Sequence, residues 1–154
     1  MRCITFILLI MFTAVAVADP RSDLKKSDKW LDSEEGHRHL DNILTHQDKR
    51  GCWPKNGDTS SRPYRGESDK LKGTFDNGAT VSELRLLARG FRLTDDAKYK
   101  KAFDDGMSCI LNAQYENGGW PQYPSAKGYG VHITFNDGTM VGLMLLLRDV
   151  SDKD

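Results

Sequence analysis

The sequence lacks several features that would place it in a common class of enzyme or binding protein. Lysine plus arginine and aspartate plus glutamate each number 22, so no net charge favours nucleic acid or an anionic membrane surface as a partner. The chain has no Gly-x-Ser-x-Gly nucleophile motif, no His-Glu-x-x-His zinc motif, no Cys-x-x-Cys pair and no phosphate-binding loop. Serine hydrolases, zinc peptidases, thiol redox proteins and P-loop enzymes are therefore disfavoured.

Cysteine is scarce, and long apolar stretches are few. Arg2 precedes an almost wholly apolar run over residues 4–17, which is too short to span a bilayer comfortably and ends at a small-x-small cleavage site. We predict a signal peptide over residues 1–18 of a secreted or periplasmic protein, a loose charged lead-in over 19–32, and one domain over 33–154. Beyond the signal only Cys52 and Cys109 remain, and two cysteines leave both a disulfide and free thiols open.

What the sequence does contain is a phrase that occurs twice. Residues 43–54 and residues 110–121 both begin with Ile-Leu, then carry Gln, Gly and Trp-Pro at matching positions. Each copy is followed by a second shared phrase, residues 74–78 and residues 134–138. Repetition on this scale is typical of stacked supersecondary units that bury a shared core.

Apolar periodicity predicts four helices around these phrases. They span about 33–47 with Ser33 as cap, about 80–91 with a capping box at Thr80 and Glu83, about 94–114, and about 138–149. Residues 48–73 and 115–135 are long loops. We therefore predict an all-α protein, an incomplete (α/α) toroid of helical hairpins with long loops on one end. The last helix is apolar nearly all round, which predicts a further neighbour and suggests a fragment.

Gln47 and Gln114 each lie six residues before a tryptophan, Trp53 and Trp120. In a structural interpretation, the amides satisfy free carbonyls at a helix end while the indoles pack between helices. The other interpretation is a stacking surface for a ligand. The structural one is favoured, because tryptophan is more often a core residue.

The pairs Asp76-Asn77 and Asn136-Asp137 precede predicted helices. They are either N-caps or a shared site that brings two carboxylates to one end of the bundle. Carboxylate and amide oxygens are the ligands that Ca²⁺ prefers, often completed by an acidic substrate. Asp76 and Asp137 are therefore candidate metal ligands, and Asn77 is a candidate substrate-binding residue.

Basic side chains in the two long loops form a further candidate group, although most surface cations only contact solvent. Together they could hold an anionic ligand above the carboxylates. Among them His132 is either a general base or a packing residue. The group consists of Lys55, Arg62, Arg65, Lys127 and His132.

These motifs, in this order, resemble the successive signatures of family 10 pectate lyases over about residues 30–150. The matching stretches are Gly51-Cys52-Trp53-Pro54-Lys55-Asn56, Phe75-Asp76-Asn77-Gly78-Ala79-Thr80, Asn117-Gly118-Gly119-Trp120-Pro121-Gln122 and His132-Ile133-Thr134-Phe135-Asn136-Asp137.

The resemblance implies an (α/α) toroid with a cleft for polygalacturonate and calcium-dependent β-elimination, in which Asp76 and Asp137 serve the substrate and its Ca²⁺. It also implies a catalytic arginine as base, and no arginine of this sequence matches it, so the catalytic residue is unknown and the chain is expected to be inactive or truncated. Cys52 and the stretch from Gly138 to Met140 depart from the family pattern. A non-catalytic protein that binds acidic polysaccharide, or a terpenoid-cyclase-like toroid, stays open as an alternative.

Overall fold

The computed structural model describes residues 20–125, 127–133 and 135–152, and its architecture is all-α, as predicted. Within these ranges the only β-pairing is an isolated bridge between Pro121 and Ile133. Short 3₁₀ turns interrupt the loops. The α-helices are α1 (Pro20–Asp23), α2 (Asp28–Leu31), α3 (Glu34–Thr45), α4 (Val81–Thr94), α5 (Ala97–Ala113) and α6 (Thr139–Ser151).

The four long helices, α3 to α6, lie where the apolar periodicity predicts them. The Ser33 hydroxyl accepts the Gly36 N–H at 3.3 Å, and the Asp96 carboxylate accepts the Lys98 N–H at 3.0 Å. Both residues are therefore N-caps that satisfy free donors of the first turn. Leucine and isoleucine side chains on the inner faces of these helices form the core, among them Leu40, Ile43, Leu84, Leu87, Ile110 and Leu143.

The capping box predicted at Thr80 is wrong. Thr80 has a positive φ of 67° and makes no capping hydrogen bond to α4. Its hydroxyl accepts the Trp53 N–H at 2.9 Å and donates to the Thr74 carbonyl at 2.9 Å. Glu83 likewise turns away from the helix start and accepts a hydrogen bond from Thr59 at 3.0 Å. Bonds to distant loops have replaced the local capping pattern.

Both tryptophans of the repeated phrase are buried in the core, so the structural interpretation is confirmed for the indoles. The Trp53 indole N–H donates to the Ile43 carbonyl at 2.7 Å, and the Trp120 indole N–H donates to the Ile110 carbonyl at 2.9 Å. Both acceptors lie in the last turn of a helix, α3 and α5 respectively. The indoles thus satisfy helix-end carbonyls, and neither ring is exposed to stack on a ligand.

The glutamines have a different role from the one predicted. Gln47 donates to the Gly51 carbonyl at 2.9 Å, and Gln114 donates to the Gly118 carbonyl at 3.0 Å. Each amide therefore closes the turn that follows its helix, because the indole already satisfies the helix-end carbonyl. Gln47 also reaches the Ala102 carbonyl of α5 at 2.8 Å, which ties the two repeats together.

The long loop over residues 48–73 is pinned at both ends by one buried carboxylate. Asp48 accepts the N–H groups of Cys52 and Gly73, both at 3.1 Å. Cys52 is also bonded to Cys109 of α5 in a disulfide, which decides the question that the sequence left open. The loop has little regular structure, as predicted, but its ends are fixed.

The segment over residues 20–32 is not the loose lead-in that its charged sequence predicts. The buried Asp23 carboxylate lies 2.9 Å from a ring nitrogen of His39, and Leu31 is part of the core. Arg89 of α4 donates to the Leu24 carbonyl and to the Asp28 carboxylate. Tertiary contacts with α3 and α4 order a stretch that has no apolar period of its own. The predicted signal peptide, residues 1–18, lies outside the described residues.

Helix α6 exposes a row of apolar side chains, as its sequence predicts. Met144 is 61% exposed and Val141 is 57% exposed, while Leu143 and Leu146 on the opposite face are buried. Across the described ranges, no helix combines the length and the apolar character that crossing a bilayer requires.

Candidate functional site

Two equivalent turns lie side by side at one end of the helices. The turns Asp76–Gly78 and Asn136–Gly138 contact each other and lead into α4 and α6. Asn77 and Asp137 have φ values of 54° and 52°, and the glycine that follows has 72° in one turn and 70° in the other. Asn, Asp and Gly tolerate this left-handed region better than other residues. The expectation that both Asx pairs lie at one end is confirmed.

N-capping, the alternative role for the Asx pairs, is wrong. The N-cap residues of α4 and α6 are Thr80 and Gly138, and neither helix start receives a side-chain capping bond. Asp76 and Asn77 lie four and three residues before the N-cap of α4, and Asn136 and Asp137 lie two and one residues before the N-cap of α6. Their side chains therefore do not cap these two helices.

The long loop of the second repeat closes over the first repeat. The Gln122 carbonyl accepts the Phe75 N–H at 3.0 Å and the Thr74 hydroxyl at 2.7 Å. These bonds immediately precede the turn at Asp76. The candidate site therefore lies where the two repeats contact each other.

Asp76 is a buried carboxylate, only 2% exposed, and it is paired with Lys55. One carboxylate oxygen accepts the Lys55 ammonium and the other accepts the Asn77 N–H at 3.1 Å. A buried charge is costly unless it is paired and hydrogen-bonded, and these contacts meet that need. The hydrogen bond that Lys55 donates to Asp76 raises the pKa of Lys55 above its usual value, so the ammonium stays protonated at alkaline pH.

Lys55 also faces a shallow pocket of about 190 Å³. Its ammonium lies 5.6 Å from the ring centre of Tyr123, and the Asn77 amide donates to Asn56 at 3.0 Å on the rim. Tyr123 is not among the residues predicted for the site, and Asn56 appears only within the matching stretch that begins at Gly51, because the contacts of both residues depend on how the loops fold. The pocket is lined by Pro20, Arg21, Pro54, Lys55, Asn56, Gly57, Asn77, Gly78, Ala79, Ser82 and Glu83.

Asp137 differs from Asp76 in its surroundings. It is exposed, and it makes no hydrogen bond or ion pair with any residue that the structure describes. In those same ranges, no group of three or more His, Cys, Asp or Glu side chains is arranged to hold a metal ion. The chain alone thus offers two carboxylates at neighbouring turns, with oxygen chemistry that suits Ca²⁺ but too few ligands to complete its shell.

The remaining candidate cations do not contact the carboxylate site in the described part of the chain. Arg62, Arg65 and Lys127 are exposed, and none of them contacts Lys55 or Asp76 within the described ranges. The His132 ring lies 6.1 Å from the ring of Tyr129 in an edge-to-face arrangement, which supports the packing role. Of the five loop residues, the structure brings only Lys55 to the carboxylate site.

A family model described as pectic acid lyase matches residues 47–154 of this chain. Among solved structures, a family 10 polysaccharide lyase from Cellvibrio cellulosa is 34% identical, with a TM-score of 0.69, and the match covers 81% of this chain and 40% of that one. An aspartate-to-alanine mutant of such a lyase from the same organism, solved in complex with trigalacturonic acid, is 32% identical with the same TM-score and coverage. The chain thus spans about 40% of the length of these relatives. No curated protein matches it significantly.

Proposed function

The chain belongs to the pectic acid lyase family, and on that premise we propose that it binds polygalacturonate with Ca²⁺ as the substrate-binding part of a pectate lyase. The complex of the related lyase with trigalacturonic acid supports an acidic polysaccharide as the ligand. The same comparisons favour a lyase over the terpenoid-cyclase alternative.

The observation that carries this proposal is the Lys55–Asp76 pair beside the two Asx turns. Each sugar unit of polygalacturonate carries a carboxylate, so its binding site needs positive charge. Lys55 supplies a cation that Asp76 keeps protonated, and its side chain is still 28% exposed to a ligand. Asn77 beside it would contribute an amide to the sugar hydroxyls.

Asp76 and Asp137 would hold the calcium ion. Ca²⁺ takes six to eight oxygen ligands, so uronate and water oxygens would have to complete the shell around these two carboxylates. When bound, the ion would neutralise the uronate carboxylate and thereby acidify the hydrogen on C5, which β-elimination removes. Asp76 is already bonded to Lys55, so its carboxylate would be shared between the ammonium and the ion.

The base that removes the C5 proton has no counterpart among the arginines of this sequence. We therefore propose that these 154 residues alone bind the polymer but catalyse its β-elimination poorly. The expected reduction in rate is roughly 10²- to 10⁴-fold, because this is what the loss of a general base costs. A purely non-catalytic binding protein is the second candidate, favoured by the exposure of His132 and Lys127, the other candidate bases. The Cys52–Cys109 disulfide supports a secreted protein, since such bonds persist in oxidising compartments.

Calorimetric titration with trigalacturonate, in Ca²⁺ and then in EDTA, tests the shared binding site. Binding should need Ca²⁺ and should be lost in Asp76→Asn and in Asp137→Asn. Asp104→Asn is the matched control, because Asp104 is an exposed aspartate of α5 whose ion pair is with Lys100 of the same helix. Binding that is independent of Ca²⁺, or retained in both site variants, would refute the proposal.

Turnover is measured separately, by the ultraviolet absorbance of the unsaturated product formed from polygalacturonate at alkaline pH. Little or no product is expected from the 154-residue chain. Robust turnover would show that a base is present, and His132→Ala and Lys127→Ala would then identify it. This outcome would leave the binding proposal intact.

A further inference from the structure

A second pocket lies beside the one that contains Lys55. It has a volume of about 380 Å³, and its lining includes Arg50, Lys72, Gly73 and Tyr123. We call it the loop pocket, because its lining residues come from the two long loops. None of the site residues predicted from the sequence is among its described lining residues, so the predicted site does not account for it.

The loop pocket adjoins the carboxylate site through Tyr123. The Tyr123 ring centre lies 5.6 Å from the Lys55 ammonium, which is bonded to Asp76. The carbonyl of the preceding residue, Gln122, accepts the Thr74 hydroxyl at 2.7 Å, which fixes this part of the second loop against the end of the first. A polymer bound at the Asx turns therefore has the loop pocket as its neighbour on the far side of Tyr123.

Arg50 is held in the loop pocket by a buried carboxylate. One oxygen of Asp48 accepts the Arg50 guanidinium at 2.9 Å, and the other accepts the Arg50 backbone N–H at 2.9 Å. The Arg50 side chain is still 43% exposed. Because a guanidinium has five N–H donors, Arg50 retains donors for a ligand after its bond to Asp48.

Lys72 is placed in the pocket by the close approach of the next residue to Asp48. A Cβ atom on Gly73 would lie 2.4 Å from the Cys52 Cβ and 2.8 Å from an Asp48 carboxylate oxygen, so a larger residue would push the loop end away. Lys72 itself is exposed, and it makes no hydrogen bond or ion pair with any residue that the structure describes. Its backbone is thus fixed while its ammonium is available.

The charges around the loop pocket leave one cation uncompensated. Arg50 is balanced by Asp48, and the lining carboxylate Asp69 lies 3.6 Å from the Lys49 ammonium. Within the described part of the chain, Lys72 has no such counter-charge. An ammonium without a partner beside a partly exposed guanidinium suits a ligand that carries a carboxylate.

We propose that the loop pocket is a second uronate-binding subsite, in which Lys72 binds the carboxylate of a sugar unit and Arg50 donates beside it. This inference rests on the proposed function, because it takes the ligand to be a polyuronate. It extends the binding site beyond the two Asx turns and their calcium ion. Lys72 is the residue to test, because replacing Arg50 would also leave the buried Asp48 carboxylate unpaired.

The test is calorimetric titration of the full chain with hexagalacturonate, in Ca²⁺ and then in EDTA. It compares the unchanged protein with Lys72→Gln, Lys72→Arg and Lys70→Gln. Lys70→Gln is the matched control, because Lys70 is an exposed lysine of the same loop that pairs with Glu67 at 3.1 Å and is not among the described lining residues. The melting temperature of each variant is measured in parallel.

Lys72→Gln should weaken binding in Ca²⁺ about five- to tenfold, as expected for the loss of one charge-assisted contact. The binding that remains should still require Ca²⁺, because the Asx turns are unchanged. Lys72→Arg, which keeps the positive charge, should retain most of the affinity, and Lys70→Gln should bind like the unchanged protein. All three variants should melt at the same temperature as the unchanged protein, since Lys72 and Lys70 are both exposed.

Each other outcome overturns the inference. If the unchanged protein binds and Lys72→Gln binds equally well, the inference is wrong while the proposed function stands. Equal weakening in Lys72→Gln and Lys70→Gln would show a general effect of charge, and complete loss of binding in Lys72→Gln would assign Lys72 to the calcium site. Weaker binding together with a lower melting temperature would assign Lys72 to folding. If the unchanged protein does not bind hexagalacturonate at all, the proposed function fails and the inference with it.

Discussion

Replacing Thr80 by valine should destabilise the protein by about 2–6 kcal/mol. The Thr80 hydroxyl satisfies the Trp53 N–H and the Thr74 carbonyl, and all three residues are fully buried. Valine has the same shape but no hydroxyl, so both backbone groups would lose their partner, at about 1–3 kcal/mol each. Because both side chains are β-branched, the strain of the positive φ is the same before and after the change.

Thr139→Val is the matched control for this change. Thr139 is also buried, but its hydroxyl has no hydrogen-bond partner among the residues that the structure describes. Removing an unpaired buried hydroxyl should leave stability unchanged or raise it by about 1 kcal/mol. Thr80→Ser, which keeps the hydroxyl, should retain most of the stability that Thr80→Val loses.

Urea unfolding followed by circular dichroism measures these differences, with the midpoint compared at constant slope. The expected order of stability is Thr139→Val at or above the unchanged protein, then Thr80→Ser, then Thr80→Val. If Thr80→Val lay within about 0.5 kcal/mol of the unchanged protein, the hydroxyl would not be the tie between Trp53 and Thr74. Equal losses in Thr80→Val and Thr139→Val would also refute the reasoning.

Two further predictions concern stability. Cys52 and Cys109 are 57 residues apart, so the chain-entropy relation assigns their disulfide about 4 kcal/mol of stability. Cys52→Ala, Cys109→Ala and the double variant should each lose a similar free energy of unfolding in urea. Additive losses in the double variant would contradict this prediction. Burial, followed by its hydrogen bond to Asp41, raises the pKa of Tyr99 from 10.0 to about 12. Between these values the unfolded chain ionises while the native tyrosine stays neutral, so stability should fall as pH rises, by up to about 1.4 kcal/mol per pH unit. Tyr99→Phe should remove that part of the slope, and an unchanged slope would count against it.

The fold was predictable where the signal is local. Ser33 and the apolar stripe of α3 lie within one stretch of sequence, so the helix and its cap could be predicted together. Thr80 also has a local capping pattern, but its hydroxyl makes two tertiary hydrogen bonds that no local pattern reveals. The prediction of a loose lead-in over residues 19–32 was wrong for the same reason. The order of this segment depends on Arg89, which is more than 60 residues away in sequence.

The candidate site was predictable in so far as it is repeated. The two Asx turns could be matched because the same phrase occurs twice, and Lys55 was found because it follows one copy of that phrase. The pairing of Lys55 with Asp76 required the structure, since the two residues come from different ends of a long loop. Tyr123 and Arg21 carried no repeated signal, so only the packing of distant segments shows that Tyr123 lies beside Lys55 and that Arg21 lines the pocket.

The matched turns also bear on the direction of the sugar chain. A polysaccharide has two unlike ends, whereas two turns with identical side chains would present the same groups at both positions. The backbones of the turns are alike, but the acid and the amide have exchanged places, Asp76-Asn77 in one and Asn136-Asp137 in the other. The Asp76 carboxylate is buried on Lys55, while the Asp137 carboxylate is exposed. For the proposed polyuronate, this exchange would make the two turns chemically different, so that the two directions of the sugar chain would not be equivalent in the site.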